Sequence, residues 1–93
     1  MTDLIDLSLL KESRALLEAM LAKRGLTYFL ATGGRTPLFS IDGDKVETVV
    51  QSCVSKLAKK GRTVHPKSLD YCRKELRREL IRRVTQAMLR VGY

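Results

Sequence analysis

Asp42-Gly-Asp-Lys-Val46-Glu-Thr-Val-Val50-Gln-Ser-Cys-Val54-Ser-Lys-Leu57 is the most strongly periodic stretch of the chain. Val46, Val49, Val50, Cys53, Val54 and Leu57 recur at alternating steps of three and one, which puts all six on one stripe of a helix. Asp44 with Glu47 three residues on has the pattern of a capping box at its start. Gly61 closes it after Lys59 and Lys60, whose charges suit the negative end of a helix. A stripe this regular must be buried, and the flanking segments have the matching apolar faces.

Beyond a connector containing His65-Pro66, the spacing predicts a last helix from about Ser68 to Val91, with Leu69, Cys72, Leu76, Leu80, Val84, Ala87 and Val91 on its apolar side. At ~1.5 Å per residue it is about 35 Å long, the span of a whole small domain. Val46, Val50, Cys53, Val54, Leu57, Leu69, Leu76 and Leu80 are therefore expected to be buried together. The far end of the helix would leave Ile81, Val84, Met88 and Leu89 short of partners within the chain, which predicts a two-fold homodimer through that helix.

Upstream, Leu9, Leu10, Leu16, Leu17, Met20 and Leu21 predict a first helix over Ser8 to Arg24, capped by Asp6 or Ser8 and ended by Gly25. The next segment changes character. Leu26-Thr-Tyr-Phe-Leu-Ala31 and Pro37-Leu-Phe-Ser-Ile41 are short runs rich in aromatic and β-branched residues around Thr32-Gly-Gly-Arg35, the pattern of a β-hairpin. Pro37 cannot donate to a ladder and puts the second strand at an edge. The expected fold is α+β in one domain over residues 1–93: helix, hairpin, helix, long helix, with the hairpin covering one side of a helical core.

The chain has 93 residues, 44% of them hydrophobic, which suits one core. No stretch approaches the roughly 20 apolar residues of a membrane span. The first residues, with Asp3 and Asp6, lack the basic start of a signal peptide, so a cytoplasmic protein is expected. Cys53 and Cys72 with the single His65 do not have zinc spacing, and two cysteines make no disulfide framework. Buried free thiols are expected. A bridge between them would need an oxidising compartment.

Charge is the feature that points to a partner. The net charge is +8, but residues 1–52 carry six Lys/Arg against seven Asp/Glu, whereas residues 53–93 carry twelve against three. A chain basic at one end reads as a face built for a polyanion. Rotation by about 100° per residue brings Tyr71, Lys74, Arg78, Arg82 and Thr85 together on the last helix, opposite its apolar side. Lys59, Lys60, Arg62 and Lys67 lie in or near the connector and extend the same surface. Arginine forks can grip phosphate, and Tyr71 can stack on an unpaired base, so the set suits backbone tracking with modest sequence readout. The competing reading is a solvated helix face, but three acids do not balance the seven bases of this helix.

Other constellations are weaker. Thr32-Gly-Gly-Arg-Thr36 lacks the Gly-Lys-Ser/Thr ending and following helix of a phosphate loop. Asp42 and Asp44 are a turn and a cap without the remaining ligands of a calcium loop. A helix-turn-helix would need a shorter connector than Gly61 to Lys67. No paired carboxylates, activated nucleophile or metal cluster stands out, so neither an enzyme nor a cofactor is expected.

Arg35-Thr-Pro-Leu-Phe-Ser-Ile41, preceded by a helix and Tyr28-Phe29 and followed by a Val-rich helix, resembles the Arg-Pro-Leu-x-Ile-x-Ile core of the FinO/ProQ RNA-chaperone domain. The resemblance spans about Ala15 to Leu57. It departs where Thr36 separates the arginine from the proline, and the Leu-x-x-Tyr-Thr/Ser signature does not follow. It implies structured RNA as ligand, with Arg35 in the place of the motif's arginine. The expected function is thus a small nucleic-acid-binding regulator, RNA slightly preferred over DNA. The alternative is an adaptor or inhibitor of the phage or plasmid type, whose basic helix docks on an acidic protein.

Overall fold

The structure is a computed structural model and describes residues 7–31 and 40–90. Three helices, α1 (Leu7–Arg24), α2 (Gly43–Lys59) and α3 (Pro66–Arg90), pack each against the other two, with a short 3-10 helix at Leu26–Phe29.

Helix ends follow local chemistry. Gly25 (φ 85°) ends α1, its N–H donating to the Leu21 carbonyl at 2.9 Å. Gly61 (φ 78°) ends α2 in a Schellman motif: its N–H bonds the Ala58 carbonyl, and the Arg62 N–H reaches back to Leu57, both at 2.9 Å. The start of α2 differs from the expected capping box. Asp42, in extended backbone, is the cap, and its Oδ1 accepts from the Asp44 N–H at 2.9 Å. The helix thus begins two residues early, and Glu47 is released for another contact. Ser8 lies inside the first turn of α1 rather than capping it, and Asp6 is outside the described residues. Helix α3 starts at Pro66, not Ser68: proline suits the first helical position, and His65 Nδ1 accepts from the Lys67 N–H at 3.0 Å.

Among the described residues no β-hairpin is formed; the expected turn and Pro37 to Phe39 of the second strand lie outside them. Leu26–Phe29, expected as strand, winds into the 3-10 helix, and pairing among the described residues is a single antiparallel bridge between Leu30 and Ile41. Two hydrogen bonds flank it, Ala31 N–H to Ser40 at 2.7 Å and Asp42 N–H to Phe29 at 2.8 Å. Aromatic and β-branched residues mark a segment that packs, not a strand as such. Here Phe29 is fully buried among the helices, with the half-buried Tyr28 ring edge-on to it at 5.2 Å. A turn of 3-10 helix achieves that without the long pairing an isolated two-stranded hairpin needs. The fold is mainly helical, not α+β.

The expected helix-pair core is present. Val46, Val50, Cys53, Leu57, Leu76 and Leu80 are buried in one cluster with Val49, Leu9 and Leu17, and Val54 and Leu69 are half-buried against it. Cys53 and Cys72 are free and buried, and burial pushes the Cys53 thiol above its usual pKa. The buried residues of α3 are Ser68, Cys72, Leu76, Leu80 and Val84. Each is four residues from the last, so the stripe turns by about 40° per step and winds around the helix instead of running straight.

The charged pair that joins α2 to α3 is Glu47 with Arg73. Nε and Nη2 of Arg73 donate to the two Glu47 oxygens at 2.7 and 2.9 Å, and Nη1 reaches Asp70 at 2.8 Å. Hydrogen bonds from Arg73 and then Gln51 hold the Glu47 carboxyl well below its ordinary value, at about 2.

Two outcomes test this architecture. Val50→Asp buries an unpaired charge at a position with 0% exposure, so it should cost more than about 3 kcal/mol and abolish a cooperative melt; an unchanged melt would refute the core. Glu47 has a depressed pKa, so its stabilisation is full above the ordinary carboxylate range and is lost as pH falls toward about 2. Both side chains are more than a third exposed (35% and 39%), and screening reduces the effect to about 1–2 kcal/mol. Urea titrations between pH 7 and pH 2.5 should show this acid loss in the wild type and a smaller one in Glu47→Gln.

Candidate functional site

The winding stripe determines what α3 presents outward. Tyr71, Lys74, Arg78, Arg82 and Thr85 are all exposed and fall within an arc of about 80° at ~100° per residue. Lys67 is exposed one turn before Tyr71 on the same line. Of the other connector cations, Lys59 and Lys60 are exposed at the end of α2, and Arg62 turns back to the first turn of α1, where its Nη1 donates to Ser8 Oγ at 3.2 Å. The structure therefore adds Lys67 to the ladder and gives Arg62 a contact within the fold. Arg35 lies outside the described residues.

The basic residues of α3 divide by their partners. Arg73 is committed to Glu47 and Asp70. Arg83 bonds Glu79 on its own helix at 2.7 Å and Glu18 on α1, which raises its pKa; hydrogen bonds from Arg82 and then Arg83 lower that of Glu79. Both arginines hold helices together. Arg78 and Arg82 have only same-helix partners three residues back: Arg78 meets Glu75 at 3.3 Å, and Arg82 meets Glu79 at 2.5 Å. Glu75 also takes Arg14 of α1 at 3.4 Å. The Arg78 and Arg82 side chains are 77% and 55% exposed, and such pairs contribute about 0–1 kcal/mol, little enough for a phosphate to replace the carboxylate. Among the described residues Lys74, Arg77 and Arg90 have no carboxylate partner, although Arg77 rests against the start of α2: a Cβ on Gly43 would lie 3.4 Å from its Nη1.

Two features of the basic surface come from tertiary packing. The Tyr28 ring lies under two cations, Arg24 at 4.8 Å and Lys45 at 4.2 Å from its centroid, which fixes both in place. A cleft of about 530 Å³ opens between the ends of α1 and α3, with Leu21, Leu26 and Ala87 among its walls and Arg82, Arg83, Gln86 and Arg90 around them. The i,i+4 recurrence of Arg82, Gln86 and Arg90 is visible in the sequence. That Leu21 and Leu26 face it is not.

Of the apolar end of α3, Val84 is buried and Met88 half-buried within the chain, while Ile81 and Leu89 are 53% and 67% exposed. No group of three His, Cys, Asp or Glu able to hold a metal, and no helix long and apolar enough to cross a membrane, occurs among the described residues. Comparison with protein families, curated proteins and solved structures finds no match for this chain.

Arg83 and Arg82 are adjacent and share Glu79, yet should behave differently. Arg83→Ala breaks the link to α1 and should lower stability by about 1–2 kcal/mol, whereas Arg82→Ala should stay within about 0.5 kcal/mol. Urea unfolding of the two variants checks this; equal losses would contradict the division.

Proposed function

We propose that this chain is a small nucleic-acid-binding regulator of the cytoplasm that holds a phosphate backbone along the outer face of α3, RNA in preference to DNA. The observation that carries the reading is the line of exposed Lys67, Tyr71, Lys74, Arg78 and Arg82, whose arginines are exposed and pair only with half-buried acids of their own helix. Arginine offers two bonds to a phosphate, and an accessible tyrosine offers a stacking platform for an unpaired base. The preference for RNA rests on Tyr71 and on the FinO/ProQ resemblance around Arg35. Lys59 and Lys60 add to the field, not to the ladder.

A second reading has its own observation. Ile81 and Leu89 are exposed apolar side chains beside the basic line, the composition expected of a helix that docks on an acidic protein or on a second copy of itself.

Titrations of single-stranded RNA, single-stranded DNA and duplex DNA at several salt concentrations separate the readings. Replacing Lys74, Arg78 and Arg82 together by alanine should reduce the log–log salt slope by roughly 2 to 3 units. Tyr71→Ala should lower single-strand affinity by ~1–3 kcal/mol and leave the slope nearly intact. Failure of the wild type to bind any of the three at low salt would discard the nucleic-acid reading, and sedimentation equilibrium of the same protein would then test self-association.

A further inference from the structure

The cleft between the ends of α1 and α3 exists because of the stripe that turns. At Ser68 and Cys72 one side of α3 is buried. Three turns later the stripe has rotated away to Val84, and the same side, now carrying Arg82, Gln86 and Arg90, comes free and stands over Leu21 and Leu26. A volume of about 530 Å³ lies within the roughly 300–1,000 Å³ range of small-ligand sites.

Its donors are arranged in advance. Arg82 spends Nε and Nη2 on Glu79, and Arg83 spends Nε on Glu79 and Nη2 on Glu18. These contacts orient the two guanidinium groups, Arg83 between two helices and Arg82 along its own, and among the described residues neither Nη1 meets a carboxylate. Arg90 has no carboxylate partner among the described residues. Lys23 and Arg24 in the last turn of α1 raise the positive potential at this end. The walls formed by the half-buried Leu21 and Leu26 with Ala87 give the site an apolar body beside its cationic rim.

We infer that this cleft takes one unstacked nucleotide, its base against Leu21, Leu26 and Ala87 and its phosphate on Arg82 and Arg90. The inference rests on the proposed nucleic-acid function and deepens it. Arg82 belongs both to the ladder and to the cleft, so a strand that follows Lys74 and Arg78 arrives at its mouth. Guanidinium planes and apolar walls suit the faces of an unpaired base. An aspartate or glutamate side chain would satisfy the arginines but leave the apolar walls uncovered.

The test is an NMR titration of the full chain with adenosine 5′-monophosphate, ribose 5-phosphate and inorganic phosphate in parallel. The nucleotide should shift resonances of Leu21, Leu26, Gln86 and Ala87 and bind at least about tenfold more tightly than either base-free anion, as expected of a stacked base. Ala87→Phe keeps every charge and narrows the cleft; Arg90→Ala keeps the walls and removes a donor. Both positions are exposed, so the variants should melt like the wild type, bind the nucleotide about fivefold or more weakly, and retain the salt slope for single strands to within about one unit.

Equal binding of the three anions, shifts away from the cleft, or full nucleotide affinity in Ala87→Phe would overturn the inference. So would an acidic peptide that shifts these resonances when the nucleotide does not. Strand binding that survives in both variants with nucleotide affinity unchanged would remove the cleft and leave the ladder standing. Loss of strand binding in the wild type would remove the ladder, and the mononucleotide titration would still judge the cleft.

Discussion

The arrangement depends on the four-residue spacing of the apolar side chains on α3. A stripe with that spacing cannot face one neighbour along its whole length, because it turns by about 40° at every step. Charged contacts flank it on both sides: Arg73 pairs with Glu47 of α2, whereas Glu75 and Arg83 meet Arg14 and Glu18 of α1. One long helix can therefore close the core against both others. The same rotation brings one side of α3 out of the core in its last turns, and the arginine-lined cleft opens there.

Charge on α3 is partitioned by distance to acids on the other helices. Glu47 and Glu18 each capture one arginine, and those two side chains are about two-thirds buried, at 35% and 32% exposure. Arg78 and Arg82 have only the acids of their own helix within reach and remain in solvent. A net charge of +8 thus overstates what is structurally committed and understates how local the available part is. Removing a ladder cation should relieve like-charge repulsion as often as it breaks a weak pair. Removing Arg73 or Arg83 disconnects helices.

The three helices and most of the core were legible in the sequence, because the leucines of α1, the valine stripe of α2 and the leucine spacing of α3 must bury against one another. The exposed ladder was legible for the same reason, as the complement of an apolar stripe. Three readings went astray where local chemistry has two solutions. Asp42 and Asp44 both suit a cap, and the earlier one took the role because its extended backbone lets Oδ1 reach the Asp44 N–H. Leu26–Phe29 has the composition of a strand, but the burial of Phe29 among the helices is satisfied by a single turn. Leu69, expected in the core of α3, is half-buried, and Ser68 is buried in its place, a shift that follows from a period of four in place of 3.6. The cleft was out of reach because its two walls are separated by more than fifty residues of chain.

Under the proposed function, the straight line of the ladder suits one form of nucleic acid. Lys74, Arg78 and Arg82 recur every four residues, about 6 Å apart along the helix at ~1.5 Å per residue. A duplex strand curves away around its axis, so a straight row of cations follows its phosphates for only a few steps. An extended single strand has no imposed curvature, and its bases are free to leave the stack. Tyr71 lies at one end of the row and the cleft beside Arg82 at the other, and both are suited to bases that only an unpaired strand can offer. The geometry that makes a duplex a poor fit makes a loop or a single-stranded end a good one, which is the ground for proposing RNA over duplex DNA.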